Sequence, residues 1–293
     1  MAGWRTIVIT ERCKLDLRYN NMNIRKNESL KQVNISEIGV LLIESTSVSI
    51  TSALLSELMK NKIKVIFCDE THNPESELIP YYGGYDSSER IKSQIFWDDE
   101  IKENLWTLIV FEKIRKQMEV LKYFNLKEYK LLENYMFQVE HFDLTNREGH
   151  AAKVYFNSLF GVNFNRDDKE NVINMALDYG YSILLSLFNR EVVSNGYITN
   201  IGLFHRNKFN PFNLSCDLME PFRPLVDKLV VEIGIDNFGT DEKRDLQKLL
   251  SSQLIIKNKE YYLPDVIKIY TKSLLDGLDE RDLTNLWFYE NEL

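Results

Sequence analysis

The spacing of apolar residues changes once along this chain, and that change constrains the fold more than any other feature. The first seventy or so residues carry strand patterns. "WRTIVIT" is short and β-branched, "CKLDLRY" and "KQVNI" alternate in polarity, and "IGVLLIE" is the continuous apolar run expected of a strand buried on both faces. One helix interrupts them. "SITSALLSELMKNK" places Ile50, Leu54, Leu55 and Leu58 at helical spacing behind Thr51 or Ser49 as the cap, and "IKVIFCD" then returns to strand. From about residue 87 apolar residues recur every three or four positions, over most of "SSERIKSQIFWDDEIKENLWTLIVFEKIRKQMEVLKYF" and again in "KEYKLLENYMFQVEHF", "REGHAAKVYFNSLFG", "RPLVDKLVVEIGI", "DEKRDLQKLLSS" and "LPDVIKIYTKSLLDGL". "KENVINMALDYGYSILLSLFNREVV" is the most apolar helix and is expected at the centre of the core, and "LIIKNKEYYL" reads as a hairpin.

The expected fold is therefore α+β with two domains: a small β-rich domain with one helix over residues 1–72, a connection over 73–87, and a large α-helical domain over 88–293. The connection is inferred from "ETHNPESELIPYYGGYDSS", where Pro, Gly, Asn and Ser cluster; the tyrosines beside its paired glycines give part of it the means to pack or bind. Cys13, Cys68 and Cys216 form no paired motif. The N-terminus lacks a signal-peptide pattern, and no stretch approaches the roughly 20 apolar residues of a membrane span. A soluble cytoplasmic protein with no membrane partner is expected. A net charge of −8 argues weakly against nucleic acid, but it is a sum, and acids gathered around a metal count in it.

The chemistry concentrates in "HRNKFNPFNLSCDLMEPFRP", residues 205–224. His205 is one of only four histidines, and Asp217 and Glu220 follow it three residues apart, so on a helix the two acids share a face. An imidazole with hard oxygen donors suits Mn²⁺ or Mg²⁺. A third donor is available at Glu148, in the first turn of a helix capped by Thr145 or Asn146. Each residue also has an ordinary structural use. A lone histidine is commonly structural, Asp-x-x-Glu ahead of an apolar helix is what an N-cap and its N3 partner look like, and an acid in a first turn favours the helix dipole. Arg147, Lys153, Arg206, Lys208 and Arg223 lie close in sequence to these donors, where cations would hold the phosphates of a nucleic acid. No Walker A loop, dinucleotide fingerprint, nucleophile elbow or HExxH motif is present.

Taken together, "IGVLLIE…SITSALLSELMKNKIKVIFCDE", "NMALDYGYSILLS" and above all "GLFHRNKFNPFNLSCDLMEPFRPLVD" resemble the CRISPR-associated spacer integrases, the first protein of that series, in their type II-A branch. The resemblance covers essentially the whole chain. It implies a β-sandwich-like N-terminal domain that dimerises and a C-terminal α-helical domain holding a divalent metal, Mg²⁺ or Mn²⁺. Residue by residue it assigns Glu148 (followed by Ala151 and Ala152), His205 and Glu220 as catalytic metal ligands, Asp217 as an additional acid that either binds or orients, and Asn174 and Tyr179 as supports. The implied reaction is transesterification: the 3′-hydroxyl of a short captured DNA attacks a phosphodiester at a CRISPR repeat end. The implied partners are DNA, a second copy of the chain, a dimer of the second, smaller CRISPR-associated protein in a hetero-hexamer, and the type II-A effector nuclease with a ring-forming DNA-end protein. Two rivals stand beside this reading: a metal-dependent structure-specific nuclease that only cuts, and a non-catalytic helical scaffold that binds DNA.

Overall fold

A computed structural model describes residues 3, 5–26, 29–80 and 86–290. The β-rich part holds two four-stranded sheets. One runs β1 (Arg5–Ile9), β5 (Ile38–Ile43), β7 (Lys64–Cys68) and β8 (Pro74–Leu78); the other runs β4 (Ser29–Asn34), β3 (Asn21–Lys26), β2 (Lys14–Arg18) and β6 (Ser49–Ile50). β1, β5 and β7 are parallel. Parallel neighbours need a crossover, and α1 (Ser52–Lys60), capped by Thr51, supplies it between β5 and β7.

β5 is buried at every residue, as its unbroken apolar run requires. Its side chains alternate between two cores. Leu41 and Ile43 join Leu15, Met22, Leu54 and Leu58 in the smaller core. Val40 and Leu42, with Ile66 of β7, join the large core of the helical part. The β part is thus packed onto the helices by the back of its own sheet. Polar contacts tighten the join. Arg190 Nη1 donates to the Gly39 carbonyl at 3.2 Å, Asn189 Nδ2 to Glu77 Oε1 at 2.8 Å, and Gln247 Nε2 to Glu44 Oε1 at 3.1 Å.

Pro74–Leu78 lies in the stretch expected to be a connection, yet it forms β8, antiparallel to β7. The polar sequence hides the strand because Glu77 forms an ion pair with buried Lys64 of β7. Desolvation pulls the Lys64 pKa well below the lysine range. The Tyr81–Tyr85 stretch, with its paired glycines, lies outside the described residues.

The helical part comprises α2 (Ser87–Ile95), α3 (Asp99–Tyr123), α4 (Tyr129–Met136), α5 (Arg147–Phe160), α6 (Val172–Ser194), α7 (Asn213–Met219), α8 (Arg223–Ile233), α9 (Thr240–Gln247) and α10 (Leu263–Glu280), with the expected hairpin β9 (Gln253–Ile256) and β10 (Lys259–Tyr262) ahead of α10. The long periodic stretch before residue 124 is two helices rather than one. Asp98 breaks it by turning its side chain back to cap Glu100 N at 2.9 Å. α6 is central, with buried side chains around its whole circumference. It crosses α8 so closely that a β-carbon on Gly180 would lie 2.3 Å from Val226 Cγ1.

Candidate active site

The loop between α6 and α7 is built around one carboxylate. Asp217 is fully buried inside α7 and does not cap the following helix. Its oxygens accept from the backbone N–H groups of Leu203 at 2.6 Å, Phe204 at 3.1 Å and His205 at 3.2 Å, and its Oδ1 takes a short contact from His205 Nδ1. Gly202 makes this approach possible, because a β-carbon there would sit 2.6 Å from Asp217 Oδ2 and 2.7 Å from the His205 carbonyl. Asn213 fastens the other side of the loop, donating to the Asn200 and Asn207 carbonyls at 3.1 and 3.0 Å. Phe204 stacks on Trp106, with ring centroids 4.4 Å apart, and His205 meets the edge of the same indole.

The hydrogen bond to Asp217 raises the His205 pKa against the opposing effect of burial, and the charges of Asp217, Glu220 and Glu148 add to the rise. With Nδ1 engaged by Asp217, the lone pair of the neutral ring is on Nε2.

Glu148 reaches the same region from α5. Asn146 caps that helix through Gly149 N at 3.2 Å, and Asp143 accepts from the amides of Arg147 and Glu148 at 2.7 and 3.0 Å. Glu220 arrives in the 3-10 turn Glu220–Phe222, which joins α7 to α8, with Pro221 and Pro224 in first-turn positions where no backbone N–H is needed. Between the two acids stands Lys113 of α3, its Nζ 2.5 Å from Glu148 Oε1 and 2.5 Å from Glu220 Oε2. Arg223 Nε donates to the other Glu220 oxygen at 2.9 Å, and its guanidinium lies over the Tyr181 ring. Burial pulls the Lys113 ammonium down, but Glu220 and Glu148 outweigh it and hold its pKa above the lysine range. Burial would raise the Glu220 pKa, but Arg223 and Lys113 bring it below the carboxylate range.

The expected site residues therefore fall into distinct groups. Glu148 and Glu220 meet at Lys113, and His205 lies within their electrostatic reach, held by Asp217. Arg206 and Lys208 are exposed on the loop beyond His205, Lys208 beside the protruding Phe209 ring. Lys153 is exposed on α5, and Arg147 lies over the Tyr135 ring. Arg223, expected among the phosphate-holding cations, pairs with Glu220. Buried Asn174 anchors the preceding loop: its Nδ2 donates to the carbonyls of Asn165 and Asp168, both at 2.8 Å, and its Oδ1 accepts from Arg166. Tyr179 lies away from this cluster, at the contact between the β and α parts, where its hydroxyl accepts from Gln247 at 2.8 Å. The α6 tyrosine that does reach the site is Tyr181, two positions on and so on the opposite side of the helix. Its hydroxyl donates to buried Asp227 in a short contact. Burial pushes the Asp227 carboxyl up to about 6. Lys113, Gln117, Arg166, Tyr181, Glu220 and Asp227 line one cavity of about 340 Å³. Sequence reasoning missed Lys113, Arg166, Tyr181 and Asp227; Tyr181 stands out only as a polar group in the most apolar helix, and Lys113 lies in a charge-rich stretch of α3 that gives no signal.

Among the described residues, no three His, Cys, Asp or Glu side chains stand together at the spacing of a metal-ligand set. The donors nevertheless fit a divalent cation. Glu220 Oε2 is buried and receives no hydrogen bond, since its contact with Lys113 is an ion pair without hydrogen-bond geometry. Two carboxylates and an imidazole oriented through its other nitrogen form the mixed oxygen and nitrogen donor set that Mn²⁺ or Mg²⁺ accepts.

Residues 6–243 match the family described as CRISPR associated protein Cas1, and the match runs from β1 to α9. The chain belongs to the Cas1 family. A Cas1 from Neisseria meningitidis serogroup C (strain 8013), named CRISPR-associated endonuclease Cas1, is 32% identical over 97% of this chain and 95% of its own length. The Cas1 fold recurs in a casposase bound to integration product, with a TM-score of 0.75 at 18% identity over 96% of this chain and 92% of that one. It also recurs in a Cas6-RT-Cas1–Cas2 complex, with a TM-score of 0.72 at 19% identity over 96% of this chain and 35% of that one. Among the described residues of this Cas1-family chain, no helix is long and apolar enough to cross a membrane.

Proposed function

We propose that the protein is the integrase of CRISPR adaptation in a type II-A system, joining the 3′-hydroxyl ends of short captured DNA to the ends of the CRISPR repeat. Its class, a nuclease or integrase, follows from Cas1-family membership. The observation that carries the reading is the convergence of Glu148 and Glu220 from separate helices beside a histidine whose Nδ1 is fixed by a buried acid. The type II-A branch rests on the resemblance of the sequence alone, which covers essentially the whole chain and is most specific over Gly202–Asp227.

Glu148, Glu220 and His205 Nε2 would hold Mg²⁺ or Mn²⁺, which would offset charge on the reacting phosphate and stabilise the departing 3′-oxygen. The chain's own part is positioning. Asp217 fixes the imidazole, so Nε2 needs no reorganisation to bind. Arg223 and Lys113 neutralise Glu220 and keep it ionised. Arg206, Lys208, Arg147 and Lys153 are assigned to the DNA backbone on their nearness in sequence to the proposed ligands, and Arg166 lines the cavity beside Glu220. In the reaction the attacking 3′-oxygen forms one P–O bond and the repeat's P–O3′ bond breaks. The proton lost by the attacking hydroxyl is matched by one gained at the leaving oxygen, so no covalent protein intermediate and no energy source are required.

On this reading residues 1–72 form the dimerisation unit and 88–293 the catalytic unit. Two dimers flank a dimer of the smaller second CRISPR-associated protein in a hetero-hexamer, working with the effector nuclease and the ring-forming DNA-end protein. A solved relative whose name includes both Cas1 and Cas2 supports the smaller partner. The test is incubation of the protein and that partner with a labelled short duplex and a repeat-bearing plasmid, in Mg²⁺ and in Mn²⁺. Label joined at the repeat ends is expected. Nicking without joining would leave only a nuclease, and no reaction in either metal would remove the catalytic reading.

A further inference from the structure

Lys113 is placed where few proteins place a lysine. Its side chain is only 12% exposed, and its ammonium touches two carboxylates that come from different helices. A buried ammonium is tolerated only when paired, and so is a buried carboxylate. Lys113 and Arg223 carry two positive charges against the two negative charges of Glu148 and Glu220, so the chain itself offsets the charge of these two acids. A divalent cation brought to the same oxygens would overshoot that balance and meet the ammonium at close range, in a setting of low effective dielectric.

We propose that Lys113 is an internal counter-ion that competes with the metal for Glu148 Oε1 and Glu220 Oε2, so that metal loading requires the ammonium to move aside. This rests on the reading of both acids as metal ligands. The structure supplies a place to move to: Lys113 lines the 340 Å³ cavity, whose wall also carries the carboxylates of Asp167 and Asp227, and of Asp178, which Arg166 and Lys169 of the same wall already pair. The lysine has a flexible four-carbon stem that can swing between the two positions, which the paired and stacked Arg223 guanidinium cannot do as readily. The competition has two consequences. Lys113 keeps the acids together when metal is scarce, and it lowers the affinity of the finished site.

The experiment is calorimetric titration of Mn²⁺ into the full chain at fixed pH, with thermal midpoints measured in chelator and in Mn²⁺. Lys113→Met is expected to bind Mn²⁺ roughly tenfold more tightly than the unmodified protein. It should also melt lower in chelator and gain more on adding Mn²⁺. Lys113→Arg, which keeps the charge, should bind no more tightly than the unmodified protein. Should Lys113→Met fail to fold in chelator, Mn²⁺ must restore its thermal transition, and a variant that Mn²⁺ leaves unfolded overturns the proposal. Unchanged or weaker binding by a folded Lys113→Met also overturns it, while leaving the acids as ligands. Glu148→Gln/Glu220→Gln tests the underlying reading: Mn²⁺ binding that survives in that double variant sinks both.

Discussion

Two halves of the candidate site are held by different physics. The His205–Asp217 couple is local: one buried carboxylate gathers three consecutive backbone amides and an imidazole from a loop 12 to 14 residues away. The Glu148–Lys113–Glu220 bridge is assembled at long range, from side chains alone, between helices that meet only because the core packs as it does. Backbone hydrogen bonds set the histidine's position to within a rotamer. Ion pairs set the acids' separation only as tightly as three flexible side chains allow. On the proposed reading, the site would offer a hard cation both a fixed nitrogen and an adjustable pair of oxygens.

The comparison breaks most readily at Asp217. Asp217→Ala leaves three backbone donors and an imidazole without their acceptor, and should lower the unfolding free energy by about 3–5 kcal/mol in denaturant titration. A loss under about 1 kcal/mol would mean the loop is held by something other than that carboxylate. Next is Glu220→Gln. From sequence alone this change is cheap, because glutamine serves at N3 of a helix. With Lys113 and Arg223 both leaning on the carboxylate, it should cost stability and also reduce strand joining on the order of 100-fold or more, about 2.7 kcal/mol. Near-normal joining by a folded Glu220→Gln protein removes Glu220 from the chemistry.

Asp227, on the cavity wall, sharpens the contrast through pH. Its folded pKa of about 6 lies above the ordinary carboxylate value of 3.8, so the folded state holds the proton more tightly than the unfolded chain does. That contribution is present in acid and is lost as pH rises from about 4 through 6. Relative to Asp227→Asn, the unmodified protein should gain about 1 kcal/mol between pH 7 and pH 5. A difference that does not change over that window would show Asp227 to be ionised throughout. The smallest effect is at the rim. Arg206→Ala and Lys208→Ala should each flatten the salt dependence of DNA binding by about one unit of slope, with little loss of stability. Unchanged slopes would make them solvated surface groups.

The same contrast explains what could be read in advance. His205, Asp217 and Glu220 lie on one short segment, and Glu148 sits beside a recognisable cap, so local chemistry marks them. Lys113 lies 35 residues from one of its partners and on a different helix from both. In "VFEKIRKQM" a lysine facing two distant acids looks the same as one facing water. β8 was missed for the same reason, since its polar residues are satisfied by a buried lysine on a neighbouring strand. Tyr179 and Tyr181 differ by two positions on α6, and only the packed helix shows which of them turns toward the site. The change of period near residue 87, by contrast, was legible because it averages over dozens of residues.

β5 gives the molecule a property its active site alone could not have. Because Val40 and Leu42 belong to the helical core while Leu41 and Ile43 belong to the sheet core, the two parts cannot hinge apart without wetting a row of aliphatic side chains, each worth about 1.5–3 kcal/mol. Whatever grips the β part therefore fixes where Glu148, His205 and Glu220 lie in space. Two copies joined through their sheets would act as the arms of a caliper, and the gap between their reactive centres would be a length written into the protein rather than one chosen by the DNA.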